Sequence, residues 1–189
     1  MRSPGSTLDG VQSLRGHLLV ASPQLIDPNF NRTVVLIAEH TEDGAMGVVL
    51  NRPSESAVGD VVPDLTPLID DDEVVFAGGP VQADGVMVLA EFDDPAAAAL
   101  PIDGELGFVA VDAETEEIAA TRARAFAGHA GWGPGQLEEE IEEEAWFVAP
   151  FEREDAFTDD PDELWSRALT RKGGEYALVA RMPEDPTLN

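Results

Sequence analysis

The stretch GHAGWGPGQLEEEIEEEAW, residues 128–146, is the most informative part of the sequence. The glycines around Trp132 permit a close backbone approach, and a helix that starts after them would offer free N–H groups to an anion. Two interpretations stay open: a rigid corner that packs Trp132 against a sheet, or the rim of a ligand site into which Gln136 and Glu140 point. We favour the corner, because buried aromatic side chains fill cores more often than they recognise ligands.

Two helices are predicted in the second half of the chain. Over residues 135–144, apolar side chains recur at every fourth position and glutamates occupy the other faces. Residues 161–171 carry more signals, because Asp160 can cap a helix there, Glu163 completes a capping box and Gly173 can end it. Each helix is therefore expected to pack one apolar face against a core.

Strands are predicted from short apolar runs. Residues 18–21, 33–40 and 45–51 lack polar alternation, which predicts central strands covered on both faces, the second and third joined as a hairpin. Residues 57–69 predict a short helix broken by two prolines. Further strands are predicted at residues 74–77 and 86–90, as a pair across GGPVQADG, and at residues 106–111, 146–149 and 176–180. Because strands outnumber helices without strict alternation, the predicted fold class is α+β with a mixed sheet.

Length and composition indicate one globular domain. The chain has 189 residues, enough to bury a single substantial core, and 43% of them are hydrophobic. We expect residues 14–189 to form this domain and the polar residues 1–13 to be a flexible N-terminal segment without a secretory signal. No apolar run approaches the ~20 residues that span a bilayer, and the chain has no cysteine. These features predict a cytoplasmic protein that does not enter a membrane.

The chain is strongly acidic, with 38 Asp and Glu against 11 Lys and Arg and a formal net charge of −27. Nucleic-acid backbones are bound by clustered Lys and Arg, whereas this chain has a single lysine, Lys172, and scattered arginines. We therefore predict no direct contact with nucleic acid. Two explanations of the charge stay open: a solubilising surface, which we favour, or a docking face for a basic protein partner.

The histidines of the chain are His17, His40 and His129. Three histidines can hold a catalytic zinc when a fold brings them together. Here no pair has the spacing of metal ligands on a helix or strand, and no carboxylate motif accompanies them. We therefore predict separately hydrogen-bonded histidines, no metal site and no other cofactor.

Two arginines mark the ends of the predicted hairpin. Asn51 and Arg52 follow its second strand, and Arg32 precedes its first. In an antiparallel hairpin these positions are neighbours, so we expect the two arginines to lie close together. Two guanidiniums at strand ends can clamp a carboxylate or phosphate. The alternative, which we favour on the sequence, is that each arginine pairs with one of the many local carboxylates.

Six stretches, in order and spacing, resemble the YqgE/AlgH family of bacterial proteins. They are GHLLVASPQLIDPNFNRTVVLIAEH (16–40), GAMGVVLNRP (44–53), FAGGPV (76–81), GHAGWGPGQLEEEIEEEAW (128–146), DELWSRAL (162–169) and YALVARMPEDPTLN (176–189). The resemblance covers residues 14–189 and departs at His129, where many relatives have Tyr. It implies a strongly curled sheet approaching a barrel with helices packed against it, in a family without a settled activity, some members of which are named transcriptional regulators.

No nucleophile elbow or phosphate-binding glycine loop accompanies these motifs. The resemblance and the missing catalytic signature predict a regulatory or binding protein without turnover, whose partner is a small anionic ligand or a basic protein. The alternative is a small-molecule enzyme, such as a hydrolase, that uses His40 or His129 beside Arg52. The sequence does not specify an oligomeric state. The candidate ligand-binding residues are Arg32, His40, Asn51, Arg52, His129, Trp132, Gln136 and Glu140.

Overall fold

The computed structural model describes residues 7–8, 11–110 and 113–183. Its strands are β1 (Thr7–Leu8), β2 (Val11–Gln12), β3 (His17–Ala21), β4 (Val34–Thr41), β5 (Gly44–Val49), β6 (Pro53–Ala57), β7 (Val74–Ala77), β8 (Val81–Phe92), β9 (Leu100–Asp103), β10 (Leu106–Phe108), β11 (Ala120–Trp132) and β12 (Trp146–Pro150). Its α-helices are α1 (Val58–Val61), α2 (Gln136–Glu142), α3 (Arg153–Ala156), α4 (Pro161–Lys172) and α5 (Tyr176–Val179). The segment 1–13, expected to be flexible, is described only in part, with β1 pairing β2, and residue 111 of the predicted strand 106–111 lies outside the described residues.

Strands β3 to β12 form one ten-stranded sheet in the order β12-β3-β4-β5-β11-β8-β10-β9, with β6 joined to β11 through β7. Its pairings are antiparallel except that of β7 with β11. The fold is therefore α+β with a mixed sheet, as predicted. Among the described residues the sheet is not closed, because β12 and β9 stand at opposite ends of the strand order. The expected approach to a barrel is wrong.

The outer edge of β12 is covered by side chains of α4. Lys172 Nζ donates to the Val148 carbonyl at 2.6 Å, and Arg171 Nη1 donates to the Pro150 carbonyl at 3.0 Å. Unpaired edge carbonyls otherwise invite pairing with another strand. These two side chains therefore occupy carbonyls of β12 that could otherwise pair with another strand. In a closed barrel the neighbouring strand would occupy them.

Strands β3, β4 and β5 are buried on both faces, as their unbroken apolar runs predicted. On one face Leu18 and Leu36 belong to a core that includes the buried side of α4. On the other face Leu19 and Val35 pack in a second core with Leu137 of α2. Because successive side chains of a strand point to opposite faces, one strand contributes to two cores.

Strand β11 spans 13 residues and occupies the centre of the sheet, but it was not predicted from the sequence. Arg122, Arg124 and two glycines interrupt its apolar pattern, so neither a strand period nor a helix period is visible in the sequence. The omission also made the predicted pairing of β7 with β8 wrong. Both strands pair with β11 instead, β8 antiparallel and β7 parallel. The short strands β6 and β9 were missed as well.

Residues 176–180, predicted as a strand, form the helix α5 and the residue after it. Two glycines precede this helix and reverse the chain after α4, so that the apolar run packs back against α4. Ser166 Oγ of α4 donates to the Ala180 carbonyl at 2.9 Å, which fixes the end of α5. A short apolar run has no period of its own, and the tertiary contact decides its structure.

Helix α4 begins at Pro161 and ends before Gly173, which has a left-handed φ of 79°, as expected of a terminating glycine. The predicted capping box is wrong: the Asp160 side chain makes no cap hydrogen bond, so Glu163 has no box to complete. The Thr158 hydroxyl accepts the Asp160 N–H instead, at 3.1 Å.

A capping box forms one helix earlier, at α3. The Glu152 N–H donates to Asp155 Oδ2 at 2.9 Å, and the Glu152 side chain accepts from the Asp155 backbone N–H. Arg171 of α4 forms two further hydrogen bonds with the Asp155 carboxylate, at 2.7 and 2.8 Å. The Asp155 side chain is 1% exposed. One buried carboxylate therefore joins α3 to α4.

A second ionic cluster joins β8, β11 and α3. The Glu91 carboxylate accepts from Arg122 at 2.9 Å and from Arg153 at 3.0 Å. Burial alone would raise the pKa of Glu91, but the hydrogen bonds from Arg122 and Arg153 outweigh burial and hold the pKa below its ordinary value. The cluster therefore favours the folded state when Glu91 is ionised.

Replacing Asp155 by Asn should lower the free energy of unfolding by about 2–3 kcal/mol, because the amide cannot keep both arginine hydrogen bonds and Arg171 loses its buried counter-charge. Urea denaturation followed by circular dichroism measures this change. The exposed Asp159→Asn is the matched control and should be neutral. Equal stability of the two variants would contradict the role given to Asp155.

At neutral pH, Glu91→Gln should lower the free energy of unfolding by about 1–2 kcal/mol relative to wild type. Because the folded pKa lies below the ordinary value of 4.5, the wild-type advantage is complete above that pH and is lost as pH falls through the folded pKa. Denaturation of both proteins across this range gives the difference, with exposed Glu116→Gln as control. A difference that does not shrink in acid would show that ionised Glu91 is not its source.

Candidate functional site

The glycine-rich corner after β11 is organised around the carboxylate of Glu140. Its Oε2 accepts from the indole N–H of Trp132 at 2.9 Å and from that of Trp146 at 2.8 Å. Its Oε1 accepts from the Gln136 amide at 2.8 Å, and the Gln136 carbonyl accepts the Gly133 N–H at 3.0 Å. Both indoles are almost fully buried. Gln136 and Glu140 are therefore turned onto the protein itself, with the contacts that a structural corner requires.

His40, at the far end of β4, has two internal partners. Its Nδ1 accepts the Leu14 N–H at 3.0 Å, so the ring proton is on Nε2, which donates to Glu138 Oε1 at 2.7 Å. The residue is 4% exposed. This pairing of β4 with α2 joins residues 98 positions apart, and no local pattern in the sequence signalled it.

The side chains of the other two histidines have different surroundings from that of His40. His17 Nδ1 is 3.3 Å from the Arg15 carbonyl at the start of β3. His129 pairs with Val81 across β11 and β8, and burial lowers the pKa of its imidazole. Within the described residues, no group of three His, Asp or Glu side chains is placed to hold a metal ion.

The predicted neighbours Arg32 and Arg52 do meet in one pocket of about 390 Å³. It is lined by Asn31, Arg32, Asn51, Arg52, Asp162 and Trp165. The Asn51 side chain fixes the backbone around this pocket. Its carbonyl accepts the Val34 N–H and its amide donates to the Arg32 carbonyl, both at 2.9 Å. The hairpin geometry read from the sequence therefore places two guanidiniums in one polar cleft.

Uncharged groups contact both arginines in this cleft. Arg52 Nη2 donates to the Asn31 carbonyl at 2.5 Å, and no ion pair of Arg52 occurs with any described residue. The Arg32 guanidinium lies 3.9 Å above the Trp165 ring and donates to the Met182 carbonyl at 3.1 Å. The expected pairing of Arg52 with a local carboxylate is thus wrong for the described part of the chain.

Arg32 also has a left-handed backbone, with a φ of 53°. Such a conformation costs a non-glycine residue about 1–2 kcal/mol. Asn51 stabilises it by binding the Arg32 carbonyl. Strained residues that the surrounding structure holds in place are concentrated at functional sites.

Asp162 and Trp165 belong to the site, although no pattern in the sequence predicted it. Both lie on the first turns of α4, more than a hundred residues after the arginines, so only the tertiary fold brings them to the cleft. Among the described residues, two guanidiniums face one lining carboxylate. The other candidate residues are not among the described residues that line this pocket: they are His40, His129, Trp132, Gln136 and Glu140.

No helix in the described ranges has the length and apolar character needed to cross a membrane.

A family model described as AlgH-like matches residues 18–177. The chain is 44% identical to a UPF0301 protein of Streptomyces coelicolor over 192 aligned positions, covering 97% of this chain and 100% of the relative. It is 46% identical to a UPF0301 protein of Thermobifida fusca, covering 94% and 96%.

Two solved structures are similar to this fold. A crystal structure of a Corynebacterium diphtheriae protein has a TM-score of 0.82 at 32% identity, over 90% of this chain and 93% of that one. The solution structure of the AlgH protein from Pseudomonas aeruginosa has a TM-score of 0.72 at 32% identity, over 97% and 98%. The family model, the relatives and the resemblance of the motifs agree, and the chain belongs to the AlgH-like UPF0301 family of bacterial proteins.

Proposed function

We propose that this protein is a regulatory or binding protein without turnover, and that it binds a small anion in the cleft between Arg32 and Arg52. The observation that carries the proposal is the Arg52 guanidinium, which lines the cleft without a carboxylate partner among the described residues. Planar guanidiniums bind carboxylate and phosphate oxygens in a forked geometry. A ligand with two or more such oxygens fits this pair.

The setting of the cleft supports a preformed anion site. Asn51 and Trp165 fix Arg32, and the Asn31 carbonyl fixes Arg52, so a ligand would meet guanidiniums that are already oriented. The net charge of −27 repels anions at long range. A compact ligand held by direct hydrogen bonds suits this surface better than a large polyanion, and for the same reason we propose no direct contact with DNA.

The alternative of a small-molecule enzyme finds no support in this geometry. His40 lies at the opposite end of β4 from Arg52, about 20 Å away along the strand. Both of its ring nitrogens have internal partners, Leu14 and Glu138. His129 is absent from the described lining of the cleft. We propose a cytoplasmic location, because the sequence contains no cysteine with which to form disulfide bonds.

Arg52→Gln should weaken anion binding about tenfold or more, because a charged forked donor is replaced by a neutral amide. NMR titration with inorganic phosphate and with malonate, following the backbone amides of residues 31–32 and 51–52, measures the dissociation constants. Arg15→Gln, an exposed site with the same charge change, should bind as wild type. If neither anion perturbs these amides, or both variants bind equally, the cleft is not an anion site.

A further inference from the structure

A second groove lies between α5, the edge strand β12 and the loop that follows β3. Its volume is about 320 Å³. Phe147, Tyr176, Val179 and Met182 supply its apolar surface, and residues 22–24 also line it. Nearby on α5, Leu178 is 71% exposed. A surface of this kind on an otherwise acidic chain is a candidate for protein recognition.

The aromatic side chains of the groove are held in place before any partner binds. The rings of Phe147 and Tyr176 meet edge to face, with centroids 4.9 Å apart. Lys172 Nζ lies 4.4 Å from the Tyr176 ring centroid and also binds the Val148 carbonyl. Preorganised aromatic side chains are frequent anchors of protein interfaces. Because Lys172 and Arg171 already occupy the edge carbonyls of β12, a partner would bind through side chains and not by adding a strand.

Two glutamates line the same groove, Glu144 after α2 and Glu175 before α5. Within the described residues, neither carboxylate has an ion pair. Glu144 has a left-handed φ of 58° at the end of α2, a position that usually favours glycine. An apolar groove with two unpaired carboxylates is complementary to an apolar segment that carries Lys or Arg.

We propose that this groove docks a short segment of a basic protein partner, with bulky apolar side chains in the groove and Lys or Arg beside Glu144 and Glu175. The net charge of −27 argues against a second copy of the chain, since two copies repel each other at long range. The same charge steers a basic partner toward the protein. In this proposal the acidic charge of the chain does more than keep it soluble, because it attracts a basic partner to this groove.

Fluorescence anisotropy with labelled short peptides tests the proposal on the full chain. A peptide of alternating Lys and Leu should bind, whereas alternating Lys and Ser and alternating Glu and Leu should bind at least about tenfold more weakly, because each lacks one of the two features. Equal binding of the Lys–Leu and Lys–Ser peptides would mean attraction to the net charge alone and would overturn the proposal.

Two matched pairs of variants locate the binding. Met182→Ser should weaken Lys–Leu binding about tenfold, whereas Val61→Ser, which removes an exposed apolar side chain on α1, should not. Glu144→Gly should weaken binding while raising the urea midpoint, because glycine relieves the left-handed backbone; Glu55→Gln should change neither. Loss of stability together with binding would indicate a merely structural role for Glu144. Light scattering that showed a dimer dissociated by Met182→Ser would make a second copy the occupant and contradict the proposal.

Discussion

The sheet depends on a close backbone contact between Gly78–Gly79 and Gly128–His129. A Cβ on Gly128 would lie 2.3 Å from the Gly79 carbonyl oxygen, and one on Gly79 would lie 2.2 Å from the His129 backbone. Both glycines have positive φ, of 69° and 151°. The motifs FAGGPV and GHAGWG, distant in sequence, are thus two halves of one close contact.

At this contact the strand that pairs with β11 changes from β7 to β5. The same contact positions the backbone of the anion cleft. Phe126 and Ala127 pair with β7, whereas the residues from Ala130 onward pair with β5. The Gly78 carbonyl accepts the Val49 N–H at 2.8 Å, and the Ala77 N–H donates to the Arg52 carbonyl at 2.7 Å. The end of β7 therefore fixes the chain on either side of Asn51. The cleft and the sheet centre are one structural unit.

The sequence predicted what depends on local pattern. Continuous apolar runs predicted the doubly covered strands β3 to β5, and the hairpin they imply predicted that Arg32 and Arg52 are neighbours. Strand β11 escaped prediction because its burial depends on glycine contacts and on Arg124, buried beside Phe76 at 4.4 Å, and not on an apolar period. The same limit applies to the site, where Trp165 reaches the cleft only through the packing of α4.

The corner around Glu140 follows the same logic. Its glycine-rich sequence is compatible with a ligand rim but favours a structural corner, and the positions of the two indoles agree with the corner. Both indole N–H groups bind one carboxylate, which leaves Gln136 to complete its hydrogen bonds. A polar side chain flanked by buried tryptophans is therefore explained by their need for a hydrogen-bond acceptor.

The most direct test of this account compares Gly128→Ala with Gly135→Ala by urea denaturation. The two glycines have similar φ, 69° and 74°, but a Cβ at Gly135 has nothing within 4 Å. We predict a cost of about 1 kcal/mol for Gly135→Ala, from backbone strain alone, and of about 3 kcal/mol or more for Gly128→Ala, from strain and overlap with the Gly79 carbonyl. Equal costs would contradict the claim that the glycine contact holds the sheet together.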